Sequence, residues 1–138
     1  MIEIINRQRK YRINLKNLKF LLERLVEHYK LSDPEISLVF TNTETIKDLN
    51  RRYLKKDAPT DVLSFPLGEK SADGKFYLGD IVISVPQADE QRLSHSHSLE
   101  REMEYLVIHG FLHLLGFEHQ EGIEDEEIKI REILLKAH

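Results

Sequence analysis

Three of the seven histidines, His109, His113 and His119, fall within eleven residues, "HGFLHLLGFEH". Residues four apart on a helix lie on one face, so His109 and His113 point the same way. Gly116 can adopt a positive φ, end the helix and reverse the chain, which can carry His119 back to the first two imidazoles. Three imidazoles then occupy three corners of a tetrahedron. The fourth position stays open for water or substrate, as in catalytic zinc sites. Imidazole suits zinc, copper, iron or nickel, and one zinc ion is the default expectation. A single His on an apolar helix is ordinarily a hydrogen-bonded core residue. Three, spaced by four and six residues around a glycine stop, point to a metal.

The pattern H-x-x-x-H-x-x-G-x-x-H has the metzincin spacing. In H-E-x-x-H proteases the residue after the first His is a Glu that acts as general base; here it is Gly110. A mid-helix glycine costs about 1 kcal/mol relative to Ala. The expectation is that Gly110 clears the open side of the metal for a bulky substrate. A zinc metallopeptidase would need a non-standard base, and Glu118 is the nearest carboxylate in sequence.

Two further stretches carry polar residues in unusual company. In "KDAPTDVLSFPL", Asp57, Thr60 and Asp61 surround Pro59 ahead of a buried-type strand; hydrogen bonds from Asp and Thr to backbone would order such a loop. In "YLGDIVIS", Asp80 sits among Ile and Val. An acid there needs a partner, either loop N–H groups or a ligand His that it orients.

The elements that must position these groups follow from periodicity. "MIEIINRQ" alternates and reads as a strand. Residues 14–31 repeat Leu15, Leu18, Leu22, Leu25, Val26 and Tyr29 at helical spacing behind a cap at Asn14. "EISLVFT" is a strand by content, and Ile46, Leu49 and Tyr53 mark a second helix over 41–54. "VLSFPL" predicts a short strand that stops at Pro66. Asp73-Gly74 is the strongest hairpin signal, and "FYLGDIVISV" returns as a strand ended by Pro86. A short helix follows around "QADEQRL". A long one spans Leu99 to Leu115 between a Ser98 cap and Gly116. The last helix, "EDEEIKIREILLK", has acids early and bases late, as the macrodipole favours. The order predicts one α+β domain over residues 1–138, a small mixed sheet with packed helices.

The 138 residues are 41% apolar and 32% charged, with net charge −4 and no cysteine. That suits one core and excludes disulfides and thiolate metal sites. No apolar run reaches the roughly 20 residues of a membrane span, and "MIEIINRQRK" lacks a signal-peptide core. The expectation is a cytoplasmic protein without a membrane partner. Net charge does not advertise nucleic acid, yet Arg7, Arg9, Lys10, Arg12, Lys16 and Lys19 make the start locally basic, and fields act locally.

Together "PTDVLSFP", "LGDIVIS" and "HGFLHLLGFEH", with "HSLEREMEYLV" leading into the histidine helix, resemble the YbeY family of bacterial endoribonucleases. The resemblance covers most of the chain from about Asn50 onward. It implies a mixed four-stranded sheet with helices and a zinc ion held by His109, His113 and His119. It also implies single-strand-specific RNA cleavage in ribosomal RNA maturation, notably at the 3′ end of small-subunit rRNA, and in ribosome quality control. The partners would be an rRNA precursor and the ribosome or its small subunit, not DNA. The family usually has Arg directly after the Tyr of its "YR-x-K-D" segment, where this chain has Leu54. Arg51, Arg52, Lys55 and Lys56 are the nearby cations that can clamp a phosphate. His97 fits the family pattern and is a candidate for RNA binding, proton transfer or a helix-start hydrogen bond. Asp61, Asp80 and Glu118 are candidates for orienting ligands or ordering loops. A third reading is a ribosome-associated factor with a structural metal; it needs four protein ligands, with Glu118 as a candidate fourth.

Overall fold

The structure is a computed structural model and describes residues 1–54, 60–118 and 122–135. The alternating first stretch forms β1 (Ile2–Asn6), and α1 (Leu15–His28) carries the chain across to β2 (Glu35–Thr41), parallel to β1. The Asn14 side chain accepts the Asn17 N–H and so caps α1. After α2 (Thr43–Leu54), β3 (Val62–Lys70) and β4 (Phe76–Ser84) form an antiparallel hairpin. β4 inserts beside β2 in parallel, giving the order β1-β2-β4-β3. Then come α3 (Val85–Arg92), α4 (Leu99–Leu114) and α5 (Ile123–Leu134). Four strands and five helices make the mixed α+β architecture expected. No helix of the described residues is long and apolar enough to cross a membrane.

Period-two alternation splits the sheet into two packed faces. Ile36, Leu38 and Phe40 of β2, with Ile81 and Ile83 of β4, meet Leu18, Leu22 and Leu25 of α1 and Val107, Phe111 and Leu112 of α4. Val82 and Leu63 join Ile46 of α2 in a smaller second cluster, with Val39, Leu49 and Phe65 packed against it. The main core therefore fixes α4, and the second cluster fixes α2.

The end of β3 departs furthest from the sequence reading. β3 does not stop at Pro66 but continues to Lys70, with Pro66 opposite Gly79 and an irregular register between Pro66 and Glu69. β3 is an edge strand, where a residue without an N–H leaves no ladder partner unsatisfied. Gly79 makes this passage possible. Its φ is +150, and a Cβ there would run into the Phe65 carbonyl oxygen and stand 2.7 Å from Leu114 Cδ2. Gly79→Ala is therefore expected to lower stability by about 3 kcal/mol in urea unfolding, through strain and overpacking together. Gly74→Ala, at φ +86 in the open hairpin turn with nothing within 4 Å, carries only the backbone penalty of about 1 kcal/mol.

Candidate active site

The site is built on α4. Ser98 accepts the Arg101 N–H at 3.1 Å, and Glu100 and Glu102 stand in the first turn, so the N-terminus is capped and charge-matched. Beyond it Met103, Leu106, Val107, Ile108, Phe111, Leu112 and Leu114 are all buried. A helix apolar on most sides is a central one, and α4 packs against the sheet, α1, α3 and α5. It ends where Gly116 takes φ +101. A group projecting from α4 is thus held by the whole core.

His109 and His113 do project together. Their Nε2 atoms are 3.0 Å apart and their rings meet edge to face at 4.5 Å between centroids. His109 Nδ1 contacts Glu127 Oε1 of α5. A carboxylate only accepts, so Nδ1 carries the hydrogen and Nε2 presents its lone pair. Glu127 is buried and is held in turn by Arg131 at 3.2 Å, whose guanidinium lies 3.8 Å over the Tyr105 ring. His113 Nδ1 faces Glu118 Oε2 at 3.7 Å. Two ligands about 2.0–2.1 Å from a tetrahedral zinc stand about 3.3–3.4 Å apart. The two Nε2 atoms are close to that spacing, with a carboxylate behind each ring, so the pair fits a metal ion. His119 lies outside the described residues, as do Lys55, Lys56 and Asp57.

Both imidazoles open into a cleft of about 580 Å³. Asn50 and Leu54 line it from α2, Thr60 and Asp61 from the loop, Val62, Leu63, Ser64 and Pro66 from β3, and Glu118 from beyond α4. The "PTDVLSFP" and histidine segments, distant in sequence, therefore share one cleft. Burial pushes the Asp61 carboxyl above its ordinary range; its own N–H and that of Val62 pull it back, Glu102 adds to the rise, and His109 opposes it. A larger cavity of about 1010 Å³ lies on the flank of α4 at Arg101, Tyr105 and Arg131 and reaches His97, but neither His109 nor His113 lines it.

Several candidates stand elsewhere. Arg51 and Arg52 are both turned onto Asp48, at 2.6 and 3.1 Å, and neither lines the cleft. Leu54, the position of the family Arg, does line it. Asp80 pairs with Ser37 and Phe65 in the sheet and borders a shallow cleft with Met1, Glu35 and Tyr77. The carboxylate that contacts His109 is Glu127 and not Asp80, one of whose two expected roles was to orient a ligand His. Gly110 packs on the sheet. Its Cβ position is 2.7 Å from Ile81 Cγ2 and 3.2 Å from Ser64 Oγ, and its carbonyl accepts the Ser64 hydroxyl at 3.2 Å. The glycine lets α4 lie close on the sheet, against Ile81 and the cleft-lining Ser64. His97 Nε2 lies 2.5 Å from Glu102 Oε1, and His95 Nδ1 lies 2.9 Å from the same oxygen. Among the described residues, His95, His97 and Glu102 are close enough together to bind a metal.

The sequence reading missed Glu127, Glu102 and Asn50, all buried. One signal marks two of them. Glu127 falls in the apolar repeat of Ile123, Ile130 and Leu134 on α5, and Asn50 follows Ile46 and Leu49 on α2. A polar residue in a core slot of an amphipathic helix needs a partner inside. Glu127→Gln is expected to weaken zinc binding about 10–100-fold in chelator competition, as loss of a carboxylate behind a ligand His does, with the circular dichroism spectrum unchanged.

These features define a mixed α+β protein with paired imidazoles on a central helix that open into a cleft. The chain belongs to the Endoribonuclease YbeY family, whose family model matches residues 3–137. It is 49% identical over 104 residues to an Endoribonuclease YbeY of Oceanobacillus iheyensis, covering 70% of this chain and 67% of that protein. The protein of the same description from Shouchella clausii is 42% identical over 133 residues, 87% of this chain and 83% of its own length. A Thermotoga maritima protein of known solution structure superposes with a TM-score of 0.64 at 30% identity, over 94% of this chain and 85% of that one.

Proposed function

We propose that the protein is a zinc-dependent endoribonuclease that cleaves single-stranded RNA, with the metal held by His109, His113 and His119 and a fourth position open to the cleft. The observation that carries this reading is the pairing of His109 and His113 at the cleft floor with Nε2 atoms 3.0 Å apart, in a chain of the Endoribonuclease YbeY family. A bound zinc ion supplies a Lewis acid for the phosphoryl oxygens and a water of lowered pKa. Glu127 fixes the His109 tautomer, and Glu118 backs His113. Asp61, in the cleft and raised by burial, suits the proton acceptor, since a base works best with a pKa shifted toward the working pH. Its proton comes from the attacking oxygen, whether that of water or of an RNA 2′-hydroxyl.

The peptidase alternative has no support, since the residue after His109 is Gly110 and not a Glu. A purely structural metal gains none from Glu118, whose carboxylate faces His113 Nδ1 and not the Nε2 side. The role in small-subunit rRNA maturation, a ribosomal partner and a cytoplasmic location belong to the same proposal.

The test is cleavage of labelled single-stranded and duplex RNA by zinc-loaded protein, before and after chelation. Cleavage of the single strand that disappears with chelation and returns with zinc is the expected result. Cutting indifferent to the metal would remove the centre from the reaction.

A further inference from the structure

Two turns along α4 from His109, a second group of ligand-type side chains stands apart from the first. Glu102 is only 2% exposed, yet among the described residues its ion-pair partners are two imidazoles, with neither a Lys nor an Arg in range. Both approach the same oxygen, His95 through Nδ1 at 2.9 Å and His97 through Nε2 at 2.5 Å. The three candidate ligand atoms all lie within 4.8 Å of one another. Ser96, between the two histidines, sits in the left-handed region at φ +55. A non-glycine residue there is uncommon, and such backbone is retained where the surroundings enforce it. The bend turns both rings onto one carboxylate.

We propose that His95, His97 and Glu102 form a second metal site, for a zinc-like transition cation. The chemistry of the donors selects that class: two imidazoles and one carboxylate suit zinc and its neighbours, whereas magnesium and calcium take oxygen ligands. The electrostatics favour a cation as well, since a buried carboxylate needs positive charge beside it. Burial is graded across the group, from Glu102 inside to His95 with a half-exposed side chain, so an ion has a route in and a solvent side left for water. Seven residues separate Glu102 from His109, about 10.5 Å along the helix axis, and Asp61 is within electrostatic reach of both. The second ion would place positive charge beside the cavity that His97 lines on the flank of α4. This site uses no residue of the His109 centre and stands or falls separately from it.

The experiment is zinc titration of the full chain against a chromophoric chelator, on the parent, His109→Ala/His113→Ala, and that double variant with His95→Ala added. The double variant is expected to keep one zinc equivalent, and His95→Ala to weaken it at least about tenfold. His95 is exposed enough that its loss leaves the fold alone. Absence of zinc binding by the folded double variant overturns the proposal, as does binding that His95→Ala does not weaken. In case the double variant fails to fold, imidazole nitrogen NMR on the parent gives the same decision. Shifts of His95 and His97 by two equivalents of zinc support the site. Unmoved resonances mean that the three side chains form a hydrogen-bonded latch and nothing more.

Discussion

His113→Ala is expected to strip the metal from the cleft and to lower RNA cleavage at least about 1000-fold, with the fold intact. The magnitude follows from the loss of both services of the ion, charge neutralisation on the phosphate and a water activated near neutral pH. The fold should survive because the side chains that hold α4 in place are Met103, Val107, Phe111 and Leu112, all buried, while His113 stands at the cleft. The paired readouts are zinc content with cleavage rate and the far-ultraviolet circular dichroism spectrum. Loss of one zinc equivalent with an unchanged spectrum is the expected combination. A collapse of helical signal would show a metal that holds the structure together and would sink the catalytic assignment. Cleavage at parental rate without zinc would do so from the other side.

Leu54→Arg should have the largest effect in the opposite direction. Leu54 is 47% exposed and lines the cleft, so a guanidinium introduced there enters without burial of unpaired charge. A fixed cation beside a phosphoryl group in transit stabilises the developing charge, and Arg can meet two phosphate oxygens at once. We expect a gain of about tenfold or more in kcat and a salt dependence of RNA affinity steeper by about one phosphate contact. Arg51→Ala and Arg52→Ala should change cleavage less than about twofold, because both guanidinia are paired with Asp48 away from the cleft. If Leu54→Arg leaves the rate unchanged while Arg52→Ala abolishes it, the cleft described above is not where the phosphate sits.

The residues that hold the fold were legible to different degrees. α1 with its Asn14 cap, β2, the Asp73-Gly74 turn and α4 with its Ser98 cap follow from periodicity and end signals, which act within a few residues. Pro66 misled, because whether a proline ends a strand depends on whether that strand is at an edge, and edge position is set by the whole sheet. The same limit governs the site. That His109 and His113 share a face is helix geometry and could be read from a spacing of four. Which carboxylate stands behind His109 could not, since the docking of α5 on α4 is set by the whole core; Asp80 was a candidate and Glu127 was missed. Gly110 shows the converse: its presence was plain, and its reason, the close approach of Ile81, belongs to packing.

The position of Glu127 also has a consequence in time. α5 buries Ile123, Ile130 and Leu134 in the main core and brings the carboxylate that sets the His109 tautomer. Chains emerge from the ribosome N-terminus first, so the sheet and α1 to α4 can be made before the element that finishes the centre exists. The carboxylate that contacts His109 therefore arrives with α5, and a nascent chain halted before it carries both imidazoles without the acid that orients the first.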